Sequence, residues 1–404
     1  MSEPDVSDLL TVDRAIEIID STPVTPKSDR TDMTGTRGCR LAEDVRSDRD
    51  YPPFDKSLMD GFAVRIGDIT SPLRVVGEIA AGASADRALG VGEAIAVMTG
   101  APIPSNTEAI VPVEYTQRVG DSITILKSVK EGQAIARRGS DCRAGEIVLK
   151  AGTRLNAAQL AVAASVGATE VSIFLPPRVA VLSTGDEIVP IEAAPGPSQI
   201  RNSNALMLES MLRHSFGCFV DSVATAPDKP ELIRREIDAA LESCTVLFVS
   251  GGMSMGEYDF VPRVLDEMGF DLKITKLRIK PGKPFVFATK GVGDATRYVF
   301  GLPGNPVSSF VCTLRLASRL LVRLSGGTSE ERVITAKIED ALPANGPREF
   351  YQPGIWNGES IRPLQWKGSA DIYTLARANV LIVRPENEAS LPPGSIVRAM
   401  EIPS

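Results

Sequence analysis

Three short apolar runs, each ending in a loop of small residues, constrain this chain more than any other feature. Val179–Leu182 leads into Ser183-Thr184-Gly185-Asp186-Glu187, and Thr245–Val249 into Ser250-Gly251-Gly252-Met253-Ser254. Tyr298–Phe300 leads into Gly301-Leu302-Pro303-Gly304-Asn305-Pro306. A strand that is apolar at every position must be covered on both faces, which is the condition of a strand inside a parallel sheet flanked by helices. Helical patterns at about 204–216, 230–241 and 259–268, and a long one after Pro306, lie between and after these runs. The alternation predicts a doubly wound α/β domain with a mostly parallel sheet over residues 176–327.

In such a sheet ligands bind outside the carboxyl ends of the strands, so the three loops are expected on one edge. Glycine lets backbone N–H groups approach a bound anion, and helix N-termini after such loops favour phosphate or oxyanion. Ser183, Thr184, Gly185, Ser250, Gly251, Gly252, Pro303 and Pro306 are therefore candidate substrate-binding residues. Glu187 and Asp259 belong to two of the loops, and Asp186 stands beside the first. An acid at the end of a buried strand loses hydration unless it meets a cation, which suggests Mg2+ or acid–base work. Helix N-capping is the alternative for Asp186 and Asp259. Between the second and third loops, Lys276, Arg278 and Lys280 alternate with Leu277 and Ile279. On a strand these cations point the same way, and the row repels itself unless an anion lies against it. A solvated edge strand guarded by charge is the bland alternative.

The rest of the chain reads as flanking material. Residues 51–140 hold short strand-like runs between Gly, Pro and Asn turns, the pattern of a small, mainly antiparallel β unit. An Ala-rich helix follows from Asn156, with Gly167 placed as its C-terminal stop. The last eighty residues return to β patterning and predict a small closing β domain. Two motifs in the β unit, Ser57–Ala63 and Met98–Pro104, set a polar group beside a glycine between apolar residues. From the residues alone they are turns with a functional option.

Composition removes whole classes of chemistry. The chain has 404 residues, a net charge of −7 and no long Lys/Arg block, so neither nucleic acid nor a membrane surface is an expected partner. No apolar run approaches the ~18–20 residues of a membrane span. The opening Met1–Asp5 is acidic and lacks the order of a secretion signal. The five cysteines are scattered with no Cys-x-x-Cys pair, which fits a reducing compartment. The protein is expected to be cytoplasmic. Its single histidine, His214, falls on an amphipathic helix, so chemistry here must rest on carboxylates, lysines and hydroxyls.

With those residues in view, the sequence resembles the molybdopterin molybdenumtransferase family, which includes the E domain of gephyrin. The resemblance spans the whole chain in the family's order. It is carried by Ser57–Arg65 (SLMDGFAVR), Val97–Pro104 (VMTGAPIP), Arg138–Asp141, Ser183–Glu187 (STGDE) and Ile200–Asn204. Ser250–Asp259 (SGGMSMGEYD), Lys276–Pro284 (KLRIKPGKP), Gly301–Ser308 (GLPGNPVS) and Gly368–Asn379 complete it. The resemblance implies four domains: an N-terminal linker domain of residues 1–50 and 141–175, a β domain of 51–140, a molybdopterin-binding α/β domain of 176–327 and a C-terminal β domain of 328–404. It implies a homodimer, with the cleft completed by the partner's small β unit. It implies Mg2+-dependent insertion of molybdate into adenylylated molybdopterin with release of AMP, the substrate coming from an adenylylating enzyme upstream.

By the same resemblance Asp60, Thr99 and Glu187 match residues needed for metal insertion and hydrolysis of the adenylyl bond. Asp259 matches a pterin- or Mg2+-contacting acid, with Glu187 as a second metal contact. Lys276 and Lys280 match anion-binding lysines, and Asp141, Asp228 and Ser369 other cleft residues. The sequence departs from the family at Leu58 and Phe62, where Ala and Tyr are usual, and at Asn106-Thr107-Glu108 after Pro104. It departs again at Met253 and Met255, where valines are usual. The alternatives to the transferase are a non-catalytic molybdopterin-binding scaffold and a nucleotide pyrophosphatase sharing only the α/β domain.

Overall fold

A computed structural model describes residues 9–253, 260–329, 331 and 333–403. The chain divides into two compact units: one of residues 1–29, 38–42 and 172–404, the other of 30–37 and 43–171. Among the described residues no helix is long and apolar enough to cross a membrane.

The first unit is organised by a six-stranded sheet. Its strands are β1 (Arg178–Thr184), β2 (Phe219–Ala226), β3 (Val246–Ser250), β4 (Asp271–Ile274), β5 (Val286–Lys290) and β6 (Arg297–Leu302), in the order β2-β1-β3-β6-β5-β4. The first four in that order run parallel. β5 pairs antiparallel with both β6 and β4, so the sheet is mixed at one side. The expected apolar strands are its centre: every residue of β3 is buried, and so are all of β1 and β6 but their first. On one face Phe248, Phe287 and Phe300 stack with centroids 5.3 and 4.9 Å apart. Burying one such ring contributes about 1.5–3 kcal/mol, which is why this sheet anchors the unit.

Helices α1 (Ser203–Ser210), α2 (Pro230–Ser243), α3 (Val261–Glu267) and α4 (Pro306–Cys312) pack around it. Asn202 caps α1 through the Ala205 N–H, which fixes where the chain turns from loop to helix. His214 lies exposed in a widened turn directly after α1, away from any catalytic arrangement. Strands Val333–Ile338, Glu349–Trp356, Ser360–Pro363, Val380–Arg384 and Ile396–Glu401 close on themselves as a small barrel in the C-terminal region. Closure leaves no unpaired edge among these strands. Ile279–Lys280 adds a short parallel strand beside Glu349–Phe350.

The second unit holds a six-stranded sheet of residues 61–125 in which only Leu73–Ile79 and Glu93–Val97 pair in parallel. The Ala-rich helix runs Ala157–Ser165, started by an Asn156–Gln159 capping box and stopped before Gly167, whose φ is +78°.

Candidate functional site

The register of the parallel strands brings the three loops together. Ser183 lies opposite Ser250, and Ser250 opposite Leu302, so the strands end level and their loops leave the same edge. There they line one cavity of about 440 Å3. Ser183, Thr184, Gly185, Glu187, Asp228, Ser250, Gly251, Gly252, Pro303 and Pro306 all face it. The size is that of a small-molecule site.

Glycine is required where the loops meet. Gly251 has φ +98°, and a Cβ there would lie 2.4 Å from the Thr184 carbonyl oxygen. No side chain fits against backbone at that distance, so the first two loops can touch only through glycine. The strand ends also bury Ser183, Thr184 and Ser250, each less than 5% exposed. The Thr184 hydroxyl finds no hydrogen-bond partner among the described residues, a cost that a bound polar ligand or an ordered water would remove.

Charge within the cavity differs from the expected pattern. Among the described residues its acids are Glu187 and Asp228, and its cation is Arg201. The Glu187 carboxylate folds over Gly185, whose missing Cβ leaves it room. Asp186 is no helix cap: its carboxylate accepts the Asp228 backbone N–H at 3.1 Å and so ties the loop after β2 to the loop after β1. Arg201, which the sequence reading assigned no role, donates through Nε to the Ala193 carbonyl at 3.1 Å. Asn204, equally passed over, donates to the Ser250 hydroxyl at 3.0 Å and the Gly304 carbonyl at 2.7 Å, bridging the second and third loops. Both belong to the Ile200–Asn204 motif, which marked the place but not the role.

The cation row alternates as expected, with Leu277 and Ile279 fully buried between Lys276, Arg278 and Lys280. The premise that it needs an anion does not hold for Arg278. Its guanidinium donates to the Leu9 carbonyl at 2.9 Å and pairs with Glu386 at 3.3 Å, so the protein itself neutralises the middle of the row. Lys276 and Lys280 are not among the residues lining the loop cavity. Lys280 lines a groove of the C-terminal barrel instead, with Nζ 4.5 Å from the Phe350 ring centre. Pro284, at the end of the same segment, does reach the loop cavity. Ser369 accepts the Asn305 side-chain amide at 2.9 Å and, through its carbonyl, the Val307 N–H, which joins the barrel to the third loop. Asp259, Met255 and the remainder of that second loop lie outside the described residues.

In the second unit Asp60 and Thr99 meet. Gly61 pairs with Val97 across antiparallel strands, which brings Asp60, one residue before the first, near Thr99, two residues after the second. Asp60 accepts both the Thr99 backbone N–H, at 2.7 Å, and its hydroxyl, at 2.8 Å. These two hydrogen bonds hold the exposed Asp60 carboxyl below the usual carboxylate range. Gly61 is fixed by packing, since a Cβ there would lie 2.3 Å from the Val111 carbonyl oxygen. Asp141 is exposed in a loop whose backbone donates to the Tyr51 carbonyl. Arg138 of the same motif is structural: it pairs with Asp50 at 2.7 Å, and its backbone N–H binds Asp55.

Residues 10–167 match a model described as the MoeA N-terminal region (domain I and II), residues 180–322 one described as a probable molybdopterin binding domain, and residues 335–402 the MoeA C-terminal region (domain IV). The chain belongs to the MoeA family. Relatives of this family member include the molybdopterin molybdenumtransferase of Nostoc sp., 31% identical over 92% of this chain and 88% of its own. The enzyme of that name from Synechocystis sp. is 31% identical over 96% and 98%, and that of Haemophilus influenzae 30% over 96% and 98%. A crystal structure of a molybdopterin biosynthesis MoeA protein from Pyrococcus horikoshii matches with a TM-score of 0.84 at 26% identity, over 98% of this chain and 100% of that one. The MoeA fold, with its α/β domain and C-terminal β domain, is therefore the fold of this chain.

Proposed function

We propose that this protein inserts molybdenum into molybdopterin, taking adenylylated molybdopterin and molybdate and releasing AMP. The observation that carries the reading is the loop cavity at the carboxyl edge of β1, β3 and β6. A glycine-lined cavity with buried hydroxyls, two acids and an arginine suits a phosphoanhydride and an oxyanion better than an apolar ligand.

Mg2+ fits this donor set. Magnesium is usually held by one or two carboxylates together with substrate phosphate oxygens, and Glu187 and Asp228 both face the cavity. Glu187, with Asp259, is the proposed metal contact. When bound, the ion would neutralise phosphate charge and polarise the phosphoanhydride. The Thr184 hydroxyl and the Gly252 backbone N–H bind the phosphates, since Gly185 and Gly251 donate theirs to the Ala226 and Leu302 carbonyls, and Arg201 offsets the charge that Glu187 and Asp228 leave. Glu187 takes a proton from the attacking water. Asp60 and Thr99 serve metal insertion, Lys276 and Lys280 gather molybdate, and Asp141 and Ser369 contribute further cleft contacts.

We also propose the four-domain division 1–50 with 141–175, 51–140, 176–327 and 328–404, a cytoplasmic homodimer, and supply by an upstream adenylylating enzyme. The family membership and the acidic, cysteine-poor sequence support these statements. The test is AMP release from adenylylated molybdopterin in the presence of molybdate and Mg2+. Release that depends on both is expected. Intact binding of the adenylylated substrate with no AMP formed would refute the assignment.

A further inference from the structure

The C-terminal barrel carries a groove of about 800 Å3, of whose lining residues only Lys280 has a role above. Phe350 and Trp366 stack in its wall with centroids 5.5 Å apart. Phe350 is 8% exposed, while Trp366 is half-buried and leaves part of its indole toward the groove. The base is rigid. Arg384, 1% exposed, donates to the Pro343 carbonyl and pairs with Glu388, and Asn345 donates to the Arg348 and Pro385 carbonyls. Asp340 stands exposed on the rim, and Lys280 closes one end over the Phe350 ring. An aromatic wall with a carboxylate at its margin is a site for a flat ring that offers hydrogen-bond donors at its edge.

We infer that this groove holds the bicyclic ring of the pterin, with Trp366 stacking on its face and Asp340 pairing with its donor edge. The inference rests on the transferase reading and extends it. The choice between the substrate's two ring systems is chemical. An aminopyrimidinone edge presents a ring N–H beside an amino group, two donors that match the two oxygens of a carboxylate. Adenine presents an amino group beside a ring nitrogen with a lone pair, which a carboxylate repels. The distances allow one ligand to use both sites. Lys280 lines the groove and Pro284 the loop cavity, and four residues of chain span at most about 14 Å. Trp366 lies three residues before Ser369, which is bonded to Asn305 of the third loop. The ring is thus seated in the barrel while its phosphates enter the glycine loops.

Titration calorimetry of the full chain with 6-hydroxymethylpterin, and separately with AMP, tests this. Trp366→Leu and Asp340→Asn are each expected to weaken pterin binding about tenfold, the scale of one lost stacking or bidentate contact. Trp366→Phe should keep most of the affinity, and AMP binding should stay within about twofold of the unaltered protein in all three. Pterin affinity unchanged in both weakening variants overturns the proposal. So does pterin that fails to bind the unaltered protein, or AMP affinity that falls in step with it. These outcomes are separate from the fate of the parent reading, because AMP release that persists while pterin ignores Trp366 and Asp340 removes only the ring site.

Discussion

At the level of single residues, the site depends on side chains whose positions follow from short-range constraints. Glu187 folds over a glycine and faces the cavity, where its proposed work is proton transfer alongside its metal contact. Glu187→Gln keeps the shape and removes the base. Turnover should fall about a hundredfold or more while the Michaelis constant for the adenylylated substrate changes only a few-fold, as steady-state AMP release will reveal. An equal loss in both parameters would contradict the role. Asp60 makes a different prediction. Its hydrogen bonds from Thr99 favour the ionised form, so its folded pKa is depressed. Whatever those bonds contribute is present above the pKa of the free carboxyl and is lost as pH falls through the folded value. An NMR titration should place the Asp60 midpoint below that of a free aspartate, and Thr99→Val should move it up. A midpoint indifferent to Thr99 would mean the two residues do not meet in solution.

At the level of elements, the loops are as constrained as the strands. Gly251 combines a positive φ with a close approach to the Thr184 carbonyl, and the sequence around it gave no sign that backbone would be the neighbour. Gly251→Ala should cost about 1–3 kcal/mol for the backbone conformation alone, measured as a lower denaturation midpoint. The displaced loop should also weaken AMP binding. A fully stable Gly251→Ala variant with unaltered AMP affinity would show that the two loops can part without harm. The cation row teaches the converse. Its period of two correctly set Leu277 and Ile279 inward, but whether Arg278 was available to a ligand depended on Leu9 and Glu386, 269 and 108 residues away.

For the whole molecule, the proposed homodimer has the most direct test. A homodimer predicts a solution mass of twice 43.1 kDa by light scattering. If the partner's β unit completes each cleft, mixing inactive Asp60→Ala and Glu187→Ala dimers under exchange should restore partial activity. In each mixed dimer of two-fold symmetry one cleft then receives both intact residues. No recovery after demonstrated subunit exchange would argue against a shared cleft. The sequence by itself determined the doubly wound domain, the common edge of its three loops and the β character of both flanks. Apolar periodicity and glycine placement are local signals that burial and backbone geometry translate directly. It also brought Asp60 and Thr99 forward as motif residues. Only the tertiary structure decided that Arg201 rather than the lysine row faces the loop cavity, that Asn204 and Ser369 knit the third loop to its neighbours, and that Lys280 sits over Phe350 in the barrel. Those facts are long-range pairings, fixed by how strands and loops pack after folding, and no residue's immediate neighbours along the chain encode them.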